Sequence, residues 1–190
     1  MVKIIGILAL QGNFKQHKII LDLLGIDNIF IRYSSDIEKC DAIVIPGGES
    51  TAMSKLIDNN NLRHVLKEYS KTNSLFGTCA GMILLSSNNE SKNLHPLGIM
   101  DFTVNRNAYG RQIESFSDYL QLDFSNDTDF NAVFIRAPKV SKIGKNIKIL
   151  ANYKKQPVMI TDGRHFATTF HPEIGSDIRI HNYVMERINA

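Results

Sequence analysis

Short apolar runs alternate with amphipathic helical patterns through the first half of this sequence, and that rhythm points to a fold built on a parallel sheet. Strands are expected at Ile4 to Leu10, Ile29 to Tyr33, Ala42 to Ile45 and Leu75 to Gly77. Helices are expected at Phe14 to Leu24, from about Ser50 to Tyr69, and at Met82 to Ser87. In the first helix Phe14, His17, Leu21 and Leu24 recur at three- and four-residue intervals, so that face packs on the sheet, while Lys15 and Asp22 face water. Gly25 follows as the C-cap. After the third helix the pattern turns to strands, near Ile99 to Val104, Tyr119 to Asp123, Val133 to Arg136, Ile147 to Tyr153, Val158 to Thr161 and His165 to Phe170. A helix from Ile178 to Ile188 closes the chain, and the polar stretches Asn88 to Asn93 and Ser125 to Asn131 read as loops.

Neither stretch is long enough to link two domains, so residues 1–190 are expected to form one. Apolar residues at 43% and charged residues at 22% suit a globular protein with a full core. The net charge of +3 is scattered, without the run of like charges that nucleic-acid binding favours. No apolar run nears the length of a membrane span, and the N-terminus enters a strand pattern without a secretory leader, so a cytoplasmic protein is expected. Two cysteines and six irregularly spaced histidines give neither a disulfide framework nor a metal-ligand pair, and no metal is expected.

Gly77-Thr78-Cys79-Ala80-Gly81 has the form G-x-C-x-G between a strand and a helix. Small neighbours let a sharp turn hold the central side chain over the sheet edge, the geometry of a nucleophile elbow. At a helix N-terminus the dipole and unpaired N–H groups favour the thiolate, so Cys79 is the candidate nucleophile. Cys40 lacks glycine neighbours and reads as a structural residue. Phe170-His171-Pro172-Glu173 ends a strand, where open α/β sheets place their sites. His171 can serve as base, and Glu173, two residues on, can fix its tautomer and orientation. Ile45-Pro46-Gly47-Gly48-Glu49-Ser50-Thr51 puts two glycines between a strand and a helix, where backbone amides can approach a ligand closely. A tight turn with Ser50 as N-cap is the other reading of that loop, but it requires neither the second glycine nor the carboxylate.

Taken together, FGTCAG around Cys79, HPE at 171 to 173 and PGGES at 46 to 50 resemble the class I (triad) glutamine amidotransferases. With Leu10-Gln11-Gly12, Arg106-Asn107, Gly110-Arg111-Gln112 and Phe134-Ile135-Arg136-Ala137-Pro138, the chain resembles the glutaminase subunits of pyridoxal 5′-phosphate synthase, the PdxT/SNO family, over nearly its whole length. The resemblance implies an α/β fold with a three-layer open, mainly parallel sheet flanked by helices, flavodoxin-like in kind. It implies hydrolysis of L-glutamine to glutamate and ammonia through a Cys79 thioester, with His171 and Glu173 completing the triad and no cofactor. Gly48, Glu49, Ser50, Arg106, Ile135 and Arg136 are the implied glutamine contacts, and the backbone N–H groups of Ala80 and Gly48 the implied oxyanion donors, with Gln11 ordering that loop. Arginines and a carboxylate are the partners a free amino acid needs, although Arg106 and Arg136 also read as surface ion-pair residues. The implied partner is a barrel-shaped pyridoxal phosphate synthase subunit in a hetero-oligomer, with neither nucleic acid nor membrane involved. A related cysteine hydrolase, an amidotransferase subunit of another synthase, and a non-catalytic assembly subunit are the alternatives.

Overall fold

A computed structural model describes residues 3–89, 94–106 and 115–188. The alternating first half folds as β1 (Ile5–Leu8), α1 (Phe14–Leu23), β2 (Asn28–Ile31), α2 (Ser34–Ile37), β3 (Ala42–Ile45), α3 (Ser50–Asn59), α4 (Leu62–Ser70), β4 (Ser74–Thr78) and α5 (Ala80–Leu85). The strand-rich second half comprises β5 (Ser86–Asn89), β6 (Met100–Asn105), β7 (Ser115–Leu120), β8 (Phe130–Ile135), β9 (Lys139–Ile143), β10 (Lys148–Tyr153), β11 (Gln156–Thr161) and β12 (Phe166–Thr168), closed by α6 (Arg179–Ile188).

Among the described residues the main sheet has the order β10-β11-β12-β4-β3-β1-β2. Its five strands from β12 to β2 are parallel, and β11 and β10 add antiparallel at one edge. The period-two alternation of strands sorts side chains onto two faces. Ile5, Ile7, Ala42, Val44 and Phe76 point to one, where they meet Leu21 of α1 and Ile180, Val184 and Met185 of α6. Leu8, Ile43, Ile45 and Leu75 point to the other, against Met53 and Ile57 of α3, Leu62 and Leu66 of α4, and the wholly buried α5. Helices on both faces of a largely parallel sheet make the expected three-layer α/β architecture. The β7-β8 hairpin packs on the first face through Leu120, Phe130, Ala132 and Phe134, and the small β5-β6-β9 sheet on the second through Phe102, Val104 and Val140.

Gly25 closes α1 as read from the sequence. It adopts φ +67°, its N–H donates to Asp22 O at 3.0 Å and Ile26 N to Leu21 O at 2.9 Å, the paired bonds of a Schellman cap. Several elements depart from expectation, among them β8, which opens at Phe130 and so takes in the last two residues of the expected loop Ser125 to Asn131. Ser86 and Ser87, expected to end a helix, instead open β5, and Asn88 and Asn89, expected in a loop, continue it. The remainder of that loop, 90–93, lies outside the described residues. Strand β9, whose exposed side chains alternate with few apolar ones, and the single turn of α2 carry too little hydrophobic pattern to be read in advance. Strand β7 starts four residues before the expected Tyr119, again because Ser115, Ser117 and Tyr119 face water.

Close packing of backbone on backbone fixes the site end of the sheet. A Cβ on Gly81 would lie 2.0 Å from Ile45 O, so α5 rests directly on β3. Gly81→Ala is expected to cost about 1–3 kcal/mol by overpacking, whereas Gly25→Ala, with open space but positive φ, should cost about 1 kcal/mol. Denaturant unfolding of the two variants tests this, and a Gly81→Ala midpoint equal to the parent's would contradict the packing.

Candidate active site

Cys79 sits between β4 and α5 with φ +49° and ψ −102°, a backbone conformation that costs an L-residue energy and recurs where a nucleophile must project from a tight turn. Its N–H donates to Thr168 O at 2.8 Å, and β4 pairs in parallel with β12 through Thr78 and Thr168. The end of β12 therefore lies beside the elbow, and the chain continues from it directly into His171. That residue is anchored by its own N–H to Val133 O at 2.8 Å. His171 Nδ1 and Glu173 Oε1 are 2.7 Å apart. With the proton on Nδ1 toward the carboxylate, the other ring nitrogen is left for the thiol. Cys79 Sγ also lies 3.6 Å from Ile135 O.

The glycine loop supports this pair by contact. A Cβ on Gly47 would lie 2.3 Å from His171 Cε1, and one on Gly12 would lie 1.9 Å from Gly47 O. Only glycine fits either place, and Gly12 also adopts φ +92°. The Gly47 carbonyl accepts from Asn13 N at 2.9 Å. Gln11 Oε1 accepts from Glu49 N at 2.9 Å, which ties the first loop to the second. The Glu49 carboxylate caps α3 by accepting from Thr51 N at 3.0 Å and Ala52 N at 2.6 Å. Arg106 donates to the same carboxylate at 3.1 Å and to Thr51 Oγ1 at 3.1 Å.

These residues meet around one cavity of about 540 Å³. Cys79, His171, Gly48, Glu49, Ser50, Arg106, Ile135 and Arg136 all line it, so eight positions named from the sequence converge. Ala80 is buried behind the elbow, and Gln11 reaches the site through the Glu49 amide. Glu173 lies behind His171 and borders a second cleft of about 480 Å³ beside α1. Asn107, Gly110, Arg111 and Gln112 lie outside the described residues. Asn13 was not anticipated. It stands where a helix cap is expected, yet its side chain makes no capping bond; it donates to Glu173 Oε1 at 3.3 Å and lies 3.4 Å from His171 Nδ1. That misplaced cap, visible only in the structure, marks it as part of the site.

Comparisons with known proteins identify the family and the fold. A profile of the SNO glutamine amidotransferase family matches residues 7–190. The chain belongs to that family. The pyridoxal 5′-phosphate synthase subunit PdxT of Thermotoga petrophila is 39% identical over 97% of this chain and 98% of its own length. The subunit of the same name from Thermosipho africanus is 42% identical over the same shares. A crystal structure of a glutamine amidotransferase superposes with a TM-score of 0.92 at 36% identity, covering 98% of this chain and 99% of its own. PurLQS from Thermotoga maritima, 14% identical with a TM-score of 0.69 over all of this chain and 98% of its own, shares the fold.

Charge is concentrated behind the cavity. Burial disfavours the His171 imidazolium, but hydrogen bonds to Cys79 and Glu173 and their charges outweigh it and push the ring up to about 10. Burial likewise disfavours the Glu173 carboxylate, but His17 and His171 hold it down at about 2. His181, fully buried, is pushed down to about 3 by burial and by the neighbouring His17 ring. Lowered folded-state values make the unfolded chain the tighter proton binder on acidification, so their contribution is complete above the unfolded values and is lost below them. His171 has the opposite sign: its contribution is complete below 6.5 and lost as the pH rises through about 10. Unfolding free energy should therefore fall as the pH drops from 6.5 toward 3. His181→Gln should flatten this acid limb by about one proton, or about 1.4 kcal/mol per pH unit. Urea titrations across that range would contradict the assignment if the two slopes were equal.

Proposed function

We propose that this chain is a single-domain cytoplasmic glutaminase in which Cys79, His171 and Glu173 hydrolyse L-glutamine to L-glutamate and ammonia, and that the ammonia passes to a pyridoxal 5′-phosphate synthase subunit. The observation that carries the reading is the strained elbow at Cys79 sharing one cavity with the His171-Glu173 pair and with Glu49, Arg106 and Arg136.

Glutamine brings one ammonium and one carboxylate. The Glu49–Arg106 ion pair offers an opposite charge to each, so inserting the zwitterion exchanges one ion pair for two without stranding a charge. Ser50, Gly48, Ile135 and Arg136 enclose the rest of the ligand, leaving the carboxamide over Cys79. The thiolate attacks the carboxamide carbon, and the C=O pair moves onto oxygen as the oxyanion. Backbone N–H groups of Ala80 and Gly48, with Gln11 bracing the loop, stabilise it at about 3 kcal/mol per donor. At neutral pH the His171 ring already holds a proton, and it gives that proton to the amide nitrogen as the C–N bond breaks and ammonia leaves. Water then attacks the glutamyl thioester while His171 takes its proton, the C–S bond breaks, and glutamate departs. Glu173 stabilises the imidazolium throughout.

Ammonia released into water is protonated and loses its nucleophilic lone pair, so direct transfer to a docked synthase suits this chemistry. Both relatives described above are named as subunits of such a synthase, which supports that acceptor over another. Ammonia release from glutamine, measured with and without a pyridoxal phosphate synthase subunit, is expected to rise on adding the partner. Cys79→Ala should lower it at least about a thousandfold. Arg106→Ala should raise KM about tenfold or more with a smaller effect on kcat, because it removes ligand binding and leaves the reacting atoms. Full turnover by Cys79→Ala would overturn the triad in favour of another hydrolase, and no release even with the partner present would return the chain to the assembly-subunit reading.

A further inference from the structure

Behind His171 and Glu173 the interior holds two further imidazoles that the chemistry above does not employ. His17, on the inner face of α1, and His181, on α6, are both fully buried. His17 Nδ1 lies 2.9 Å from His181 Nε2. His17 Nε2 lies 3.2 Å from Thr78 Oγ1, the residue before the nucleophile, and 3.5 Å from Glu173 Oε2. Phe76 packs edge-on against both rings, at 6.3 Å and 5.6 Å between centroids. Among the described residues Glu173 Oε2 and His181 Nδ1 make no hydrogen bond.

These contacts select one arrangement of protons. Were His17 to donate from Nδ1 to His181, its bare Nε2 lone pair would face the Glu173 carboxylate, and the proton left on His181 Nδ1 would be a buried donor without an acceptor. Both faults are costly in an apolar interior. In the opposite arrangement His181 Nε2–H donates to His17 Nδ1, and His17 Nε2–H donates to Thr78 Oγ1 while turning its positive end toward Glu173 Oε2, 3.5 Å away. His181 Nδ1 is then only an unused lone pair. Both rings are neutral, which burial favours: it lowers both imidazoles, with Glu173 pulling the other way.

We propose that His17 is a positioning residue for the reaction: its Nε2–H steadies Glu173 Oε2, so that Oε1 stays on His171 Nδ1 and the far nitrogen of that ring stays on the thiol side. His181 sets the tautomer in which His17 can do so. The role rests on the glutaminase reading above. Asn13 and His171 hold only the Oε1 side of the carboxylate, and without His17 the buried other oxygen would lose the N–H dipole that faces it at 3.5 Å. Glu173 would then rotate or take up a proton, and its hold on His171 would weaken. His17 does not line the glutamine cavity, so the loss falls on kcat and leaves substrate binding unchanged.

Two measurements test this. Imidazole nitrogen NMR of the unmodified protein should show His17 as the neutral Nε2–H tautomer between about pH 6 and 8; an Nδ1–H tautomer or an imidazolium overturns the proposal. In the complex with a pyridoxal phosphate synthase subunit, His17→Leu should lower kcat for glutamine about tenfold or more with KM within about twofold. His17→Gln, whose amide N–H reaches the same place, should recover most of it. A folded His17→Leu with parental kcat, or a folded His17→Gln no better than His17→Leu, overturns the proposal, and if His17→Leu fails to fold the tautomer decides. Parental protein without any turnover would sink the glutaminase reading itself, a result distinct from turnover that His17→Leu leaves intact.

Discussion

The backbone hydrogen bond from Cys79 to Thr168, 2.8 Å long, joins two parts of the chain that are about ninety residues apart. It extends the parallel pairing of β4 with β12 by one step past Thr78, and it is made by the one residue in that step whose φ is positive. Strand β12 is only three residues long, so this step also decides where the chain leaves the sheet and therefore where His171 begins. The bond places Cys79 and His171 on one edge through the backbone, before any contact between their side chains is counted. Gly47, Gly12 and Gly81 then let the neighbouring loops close against that edge to distances that a Cβ would forbid. The site is thus held mainly by backbone, and its side chains are free to do chemistry.

A second constraint is electrostatic. A carboxylate, an imidazole pushed toward its charged form and two that burial pushes toward the neutral form occupy one small buried region. Bringing such groups out of water opposes folding, and the arrangement survives because Glu173 accepts from Asn13 and His171 while His17 and His181 hydrogen-bond to each other. The stability lost to this cluster is offset by apolar burial, above all on the first face of the sheet, where Phe76, Phe134, Phe166 and Phe170 are buried completely or nearly so. A fold with less core would not carry it.

The parallel half of the fold was legible because its central strands β1 and β3 are short runs buried on both faces, and Ala42–Ile45 was read to the residue. The elbow, the HPE turn and the glycine loop were legible for another reason: each packs its chemistry into three to six consecutive residues. Strands β5 and β9 and the first four residues of β7 escaped because they sit outside the main sheet with half or more of their side chains in water, so their pattern resembles that of a loop. Asn13 and His17 escaped differently. As sequence, one is an ordinary helix cap and the other an ordinary inward-facing helix residue. Their contacts with Glu173, about 160 residues away, exist only once α1 lies against the end of β12.

The central claim is that Cys79 carries the glutamyl group, and trapping that group tests it most directly. Rapid acid quenching of the complex during glutamine turnover, with His171→Ala used to slow thioester hydrolysis, should leave a single glutamyl unit on the peptide containing Cys79, detectable by mass spectrometry. The adduct should vanish when Cys79 is replaced by Ala. A glutamyl unit on any other residue, or turnover in which no adduct ever forms on Cys79, would contradict the account.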